Sequence, residues 1–493
     1  MLLLGIDIGT SSVKVSVVDA ITQKALVTVQ VPDTESPIKS LNAGWAEQSP
    51  EMWWSQTQEA IQRAHKEGNY DPVDITAIGV AYQMHGLVLV DKDQELIRDS
   101  IIWCDSRAVE LGNKAFETLG ESYCLHHLLN SPGNFTASKL AWVKENEPEL
   151  YSRIDKVMLP GDYIAMKLTG EVTTSVSALS EGIFYDFLKD EISKDVTAFF
   201  GFERNLFPKI QSVFSNHGEL RSKVAATLGL KPQVIVTYKA GDQPNNALSL
   251  NVMRPGEVAA TAGTSGVIYG ISDELTYDKQ SRINSFAHVN YEPQHKNTGV
   301  LLCINGTGSL NRWAKNLLAS SVGYEQMNML AKGIPEGSNG LRILPFGNGA
   351  ERMLNNKLVG VHFHNIDLNL HTSGHIFRAV QEGIACAFKY GLDIMRENGM
   401  TPTIIRAGKA NLFISEVFTQ SFVNVTGVPV ELYLNDGSVG AALGAGIGSE
   451  IYNSVEDAFT NAKVIALIEP RNNTMNEVYE EWYSLLSRQM EIV

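Results

Sequence analysis

Apolar and polar positions alternate in short blocks along most of this chain. Leu2 to Ile8 is an apolar run, Gly9 to Ser12 is a polar turn with a glycine, and Val13 to Val18 alternates. This predicts a hairpin with the carboxylate of Asp7 at its mouth. Helical spacing follows from Pro50 to His65 and from Ala137 to Glu145, with strand-like runs at Ile75 to Tyr82 and Leu87 to Val90. Strand and helix patterns mixed in this way imply an α/β protein. A second hairpin of the same grammar lies past the middle: Val258 to Ala262, Gly263-Thr264-Ser265-Gly266, then Val267 to Tyr269. The repetition predicts two related domains, 1–247 and 248–493, parting near the Met253-Arg254-Pro255-Gly256 turn. Farther on, a long helix is expected from Ser373 to Asn398, a strand from Thr403 to Ala407 and a helix from Asn411 to Val423. The apolar positions from Phe377 to Met395 fall at helical spacing and read as core, and the alternating His362-Phe363-His364 reads as structural.

A length of 493 residues is too great for one ordinary core and supports the two-domain division. Charged residues make up 19% and hydrophobic residues 44%, the balance of a globular chain. A net charge of -15 with no Lys/Arg run excludes a nucleic-acid partner, and the charge of any bound polyphosphate must then be met locally. Cys104, Cys124, Cys303 and Cys386 show no paired spacing and read as reduced thiols. The apolar start lacks a basic region and a cleavage site, and no run reaches the roughly 18 apolar residues of a membrane helix, so a cytoplasmic location is expected. No residue pattern speaks to oligomeric state; a homodimer is a guess.

Asp7 stands at a strand end beside a turn, Thr10-Ser11-Ser12, whose preceding glycine lets backbone N–H groups converge on an anion, an arrangement suited to phosphate and a hydrated Mg²⁺. An ordinary hairpin whose Asp caps its own turn fits the segment equally well. The second turn, Gly263-Thr264-Ser265, favours the phosphate reading, because a clamped triphosphate needs two such cradles. Val234 to Thr237 reads as a buried strand, and Gly241-Asp242-Gln243-Pro244 then opens a helix. Asp242, at a strand's carboxyl end, is the candidate base for a hydroxyl that attacks phosphorus; the bland reading is a helix N-cap. Gln83-Met84-His85-Gly86 breaks a strand with a polar cluster, and Trp103-Cys104-Asp105-Ser106-Arg107 joins an aromatic platform to charged edges, as a polyol site does. A surface ion pair near a core Trp explains the second cluster as well.

With these residues in view, the chain resembles the FGGY carbohydrate kinases from Leu3 to about Glu450. Gly5 to Ser11 is similar to the family's first phosphate hairpin, and Trp45-Ala46-Glu47-Gln48 with Trp53-Trp54 to the segment after it. Gln83 to Gly86 resembles the stretch that contacts D-xylulose in one branch, and Gly133 to Trp142 the signature of the first domain. Leu159 to Tyr163 follows in the expected order, as do Gly241-Asp242-Gln243, Gly263 to Gly266, and Gly437 to Ala445. The resemblance implies two actin-like (ribonuclease H-like) ATPase domains flanking a central cleft, and Mg·ATP-dependent phosphorylation of D-xylulose. It assigns Asp242 as catalytic base, and Gln83, Met84, His85, Asp242 and Gln243 to the sugar, to which the polyol reading of the residues themselves adds Trp103 and Asp105. Thr10, Ser11, Ser12, Gly263, Thr264, Ser265, Gly408, Asn411 and Gly440 are assigned to the nucleotide, and Asp7 to the metal.

The chain departs from the family's glycine runs at Tyr238-Lys239-Ala240 and at Arg406 to Asn411, where fewer glycines leave less room for backbone to approach a base. Lys239 could instead add a positive charge near the phosphates. Rival readings are a kinase of the same fold for L-xylulose, ribulose or glycerol, and a non-catalytic ATP- or sugar-binding protein.

Overall fold

The computed structural model describes all 493 residues. It divides into two compact units: one is formed by 1–253, 286–298 and 436–462, the other by 254–285, 299–435 and 463–493. The first break falls after Met253, six residues past the boundary at 247 read from the sequence. The larger difference is that two later stretches return to the first unit.

The first unit is built on five strands: β1 (Leu2–Ile8), β2 (Val13–Asp19), β3 (Lys24–Val31), β4 (Ile75–Tyr82) and β5 (Ile235–Gly241), in the order β5-β4-β1-β2-β3. The first hairpin has its expected bounds, with Ile8 opposite Val13 and Asp7 opposite Lys14. β1 pairs parallel with β4, and β4 with β5, so Asp7 and Asp242 leave the sheet at the same edge. In β1 every residue is buried except Asp7, as a strand covered on both faces requires. One cover is the Pro50–Glu67 helix, which has Pro50 in its first turn and Ser49 accepting from the Met52 N–H.

The other cover is the Gly437–Gly448 helix, which explains the return of 436–462. Its small residues let it approach the strands closely: a Cβ added to Gly5 would lie 1.7 Å from the Ser438 carbonyl oxygen, and one added to Gly79 1.9 Å from that of Ala441. Only glycine fits at those two positions.

In the second unit, β6 (Glu257–Ala262), β7 (Gly266–Ser272), β8 (Thr298–Ile304), β9 (Ile404–Gly408), β10 (Val430–Tyr433) and β11 (Ala466–Ile468) lie in the order β8-β7-β6-β9-β10-β11. The expected long helix runs Ser373–Glu397, with Phe377, Val380, Ile384, Phe388, Leu392 and Met395 inside the core. The helix expected from Asn411 to Val423 is two pieces. Asn411, at φ +54°, opens a 3-10 turn ending at Ile414. Ser415 then turns extended and accepts from the Phe418 N–H, capping a new helix, Glu416–Thr426.

Candidate active site

β5 ends at Gly241 and the Asp242–Ser249 helix begins at once, which puts Asp242 at the first helical position with Gly241 as the cap. Asp242 is therefore not the N-cap. Burial, the nearby Asp7 carboxylate and only partial relief from Gln243 push its carboxyl up to about 7. Asp7 is pushed up to about 6, by burial and then by Asp436, with Lys14 opposing. The Lys14 ammonium stands 3.7 Å from Asp436. The N-terminus of the Gly437–Gly448 helix closes on the same spot, since a Cβ on Gly437 would be 2.3 Å from Asp7 Oδ2. Asn245 fixes that end by donating to the Gly437 carbonyl at 2.9 Å, while its buried Oδ1 has no partner in the protein.

The turn after β1 is held from inside. Gly9 N–H donates to Ser12 O at 3.0 Å, Ser36 N–H to Ser11 O at 2.7 Å, and Gln48 Nε2 to Thr10 O at 2.8 Å. Its carbonyl lone pairs thus face the protein, which suits a turn meant to meet an anion. Thr10 also donates to Gln83 Oε1 at 3.2 Å and accepts from Trp103 Nε1 at 2.9 Å.

Of the residues assigned to the sugar, Met84 packs against Gly241, the residue before Asp242. A Cβ on Gly241 would be 2.6 Å from Met84 Cγ and 3.4 Å from Glu181 Oε2. Gln243 follows Asp242 in the same helical turn. Gln83 is 2% exposed, with its amide shared between Thr10 and Gln48, so it braces the turn. Asp105 is fully buried, with its carboxylate taken up by Arg107 and by the Ala46 N–H at 2.6 Å. Arg107 also bonds Glu47 at 2.7 Å and lies 3.8 Å from the Trp45 ring centroid. Neither Asp105 nor Arg107 presents a surface to a ligand, whereas Trp103 is 52% exposed. Lys239 does not reach the phosphate turn either: it is sealed in the core, donating to Asp162 at 2.7 Å and to the Thr173 carbonyl at 2.6 Å. Gly440 belongs to the first unit, its backbone pressed against Ser249.

In the second unit a pocket of about 790 Å³ is lined by Gly263, Thr264, Asn311, Tyr324, Asn411 and Ser415, among others. Ser265 shares the turn, and Gly408 ends β9. Asn311 is buried with Oδ1 unpartnered. The turn is pinned by the next helix, as Gly308 N–H donates to Gly263 O at 2.9 Å and Ser309 N–H to Thr264 O at 3.0 Å. The loop before that helix is held in turn by the buried carboxylate of Glu351, which accepts from Asn305 N–H at 3.0 Å and Gly306 N–H at 3.1 Å.

Sequence reading missed Glu181, Asp436, Asn311 and Glu351. None carries a local motif, although Ala178 to Phe187 sets two carboxylates, Glu181 and Asp186, among mostly apolar residues.

The fold and these sites define a class. The sequence profile of the FGGY family of carbohydrate kinases, N-terminal domain, matches residues 2–249, and the chain belongs to that family. It is 30% identical to the xylulose kinase of Haemophilus influenzae over 82% of this chain and 81% of that one. To the xylulose kinase of Escherichia coli it is 28% identical over 98% of this chain and 100% of that one. The crystal structure of xylulose kinase from Rhodospirillum rubrum superposes with a TM-score of 0.89 at 24% identity, covering 100% of this chain and 99% of that one. That likeness shows that the chain shares the α/β fold of that structure over its whole length. No helix is long and apolar enough to cross a membrane.

Proposed function

We propose that this chain phosphorylates D-xylulose with ATP, giving D-xylulose 5-phosphate and ADP. The observation that carries the proposal is the placement of Asp242: a carboxyl pushed up to about 7, directly after the end of β5, with Met84 packed against the Gly241 that precedes it. The names of the relatives point to the same sugar. Asp242 takes the proton from the terminal hydroxyl as its oxygen attacks the γ-phosphorus, and a base with a pKa near the working pH suits that transfer. Met84 and His85 hold the carbonyl end of the ketose. The Thr10–Ser12 turn and the Gly263–Ser265 turn take phosphate oxygens. The second unit's pocket takes the nucleoside, whose donors would meet the unpartnered Asn311 Oδ1.

Mg²⁺ fits the first site. Asp7 and Asp242 repel one another, Asn245 Oδ1 is an orphaned hard donor, and no set of three or more metal-ligating side chains competes for the ion. That is the pattern of an ion carried mainly by phosphate and water, with one or two carboxylates behind it. Asp7 would anchor it through water; when bound, the ion neutralises charge on the transferring phosphoryl group. A reaction that uses ATP places the protein in the cytoplasm.

The test is a coupled ADP-release assay across D-xylulose, L-xylulose, ribulose and glycerol. D-xylulose should give the highest kcat/KM. A better acceptor among the others would overturn the substrate assignment, and no turnover with any of them would overturn the enzyme.

A further inference from the structure

His85 adopts φ +63°, a conformation seldom taken by residues with a side chain. Two buried side chains, those of Glu181 and Lys139, hold it there. Glu181, 2% exposed, accepts from the His85 N–H at 3.3 Å through Oε2 and from the Tyr82 hydroxyl at 2.7 Å through Oε1. The Glu181 carbonyl accepts from His85 Nδ1 at 3.0 Å; a carbonyl has no proton to give, so Nδ1 carries it. On the opposite side the His85 carbonyl accepts from Lys139 Nζ at 2.9 Å and from Thr136 Oγ1 at 3.2 Å. Lys139 is itself fully buried. Phe135 meets the imidazole edge-on, with centroids 4.8 Å apart.

From this geometry we infer that Glu181 is a positioning residue for the sugar, acting by locking His85 next to Met84, whose side chain packs with Glu181 Oε2 at Gly241, the residue before Asp242. The inference rests on the sugar-kinase reading above. A purely structural brace at this depth would be better served by an apolar side chain, because burial and the Asp242 charge both disfavour the Glu181 carboxylate. What the carboxylate adds is two acceptors at fixed separation, one for β4 through Tyr82 and one for the His85 backbone. A contact residue held by several partners keeps the sub-ångström placement that sugar recognition needs.

The experiment compares wild type with Glu181→Gln and Tyr82→Phe. The probe is whichever panel sugar the wild type phosphorylates best, so a wrong acceptor sinks the D-xylulose assignment while leaving this comparison readable. Glutamine presents one acceptor and one amide NH₂, so one of the two donors loses its partner. Glu181→Gln should weaken sugar binding, measured by calorimetry without ATP, by about tenfold or more, with the ATP KM within about twofold of wild type and the melting temperature nearly unchanged. Tyr82→Phe should weaken it in the same direction by about threefold. Unchanged sugar affinity in Glu181→Gln overturns the inference. So does a loss matched by an equal rise in ATP KM and a fall in melting temperature, the signature of a general structural role. If Glu181→Gln does not fold, Tyr82→Phe decides, and unchanged affinity there overturns the inference.

Discussion

Replacing Asp242 by Asn should destroy activity and at the same time stabilise the first unit at alkaline pH. A carboxyl displaced from 3.8 to about 7 is destabilised as an anion by roughly 4 kcal/mol, at about 1.36 kcal/mol per pH unit. Asp242 keeps some contact with solvent, so about half of that, on the order of 2 kcal/mol, is a fairer expectation. The sign follows from linkage. The folded carboxyl holds its proton more tightly than the unfolded one, so wild type loses stability as pH rises from about 4 to about 7 and loses no more above that. The Asn variant has no such loss, and Asp7, freed of its neighbour's charge, becomes easier to ionise. Thermal unfolding in EDTA should therefore show equal melting temperatures near pH 4 and a variant higher by about 4 °C at pH 8. Transfer to sugar should vanish while sugar binding remains. A variant no more stable than wild type at pH 8, or equally stabilised at both pH values, would refute the electrostatic account. Retained turnover would remove Asp242 from the role of base.

Asp7→Ala should raise the Mg²⁺ concentration for half-maximal activity by about tenfold or more, and should move the acid limb of the kcat/KM profile to lower pH, because Asp7 helps hold Asp242 high. A Mg²⁺ titration with an unchanged midpoint would count against the metal role. Glu351→Ala leaves the Asn305 and Gly306 N–H groups buried without an acceptor, at about 1–3 kcal/mol each, and loosens the loop behind Gly263. The ATP KM should rise by about tenfold with the sugar KM unchanged, and steady-state kinetics with each substrate varied in turn would show a failure directly.

Much of this molecule was legible because its information is local. The hairpin at Leu2–Ile8 and Val13–Asp19, the Pro-led helix at Pro50 and the strand–Gly241–Asp242–helix junction follow from runs of apolar residues punctuated by glycine and proline. The same glycines marked the two turns where an anion can sit, and so exposed Asp7 and Asp242. The break at Ser415 was missed because its signal, a serine cap inside a helical run, is weaker than the periodicity around it.

Partnership between distant residues was decided by the tertiary structure alone. Sequence allows Asp105 and Arg107 to pair at the surface and shows that Lys239 carries charge; only packing shows that the first pair is buried and that Asp162 uses up the charge of Lys239 inside the protein. The reverse holds for Glu181, which looks like an interruption in an apolar stretch until folding brings it 3.3 Å from the His85 N–H. The allegiance of the Gly437–Gly448 helix has the same origin. Its composition announces close packing, but which backbone it can approach depends on where Gly5 and Gly79 lie in a sheet formed hundreds of residues earlier. Local sequence sets which conformations and charges are available, and the assembled core sets which of them meet.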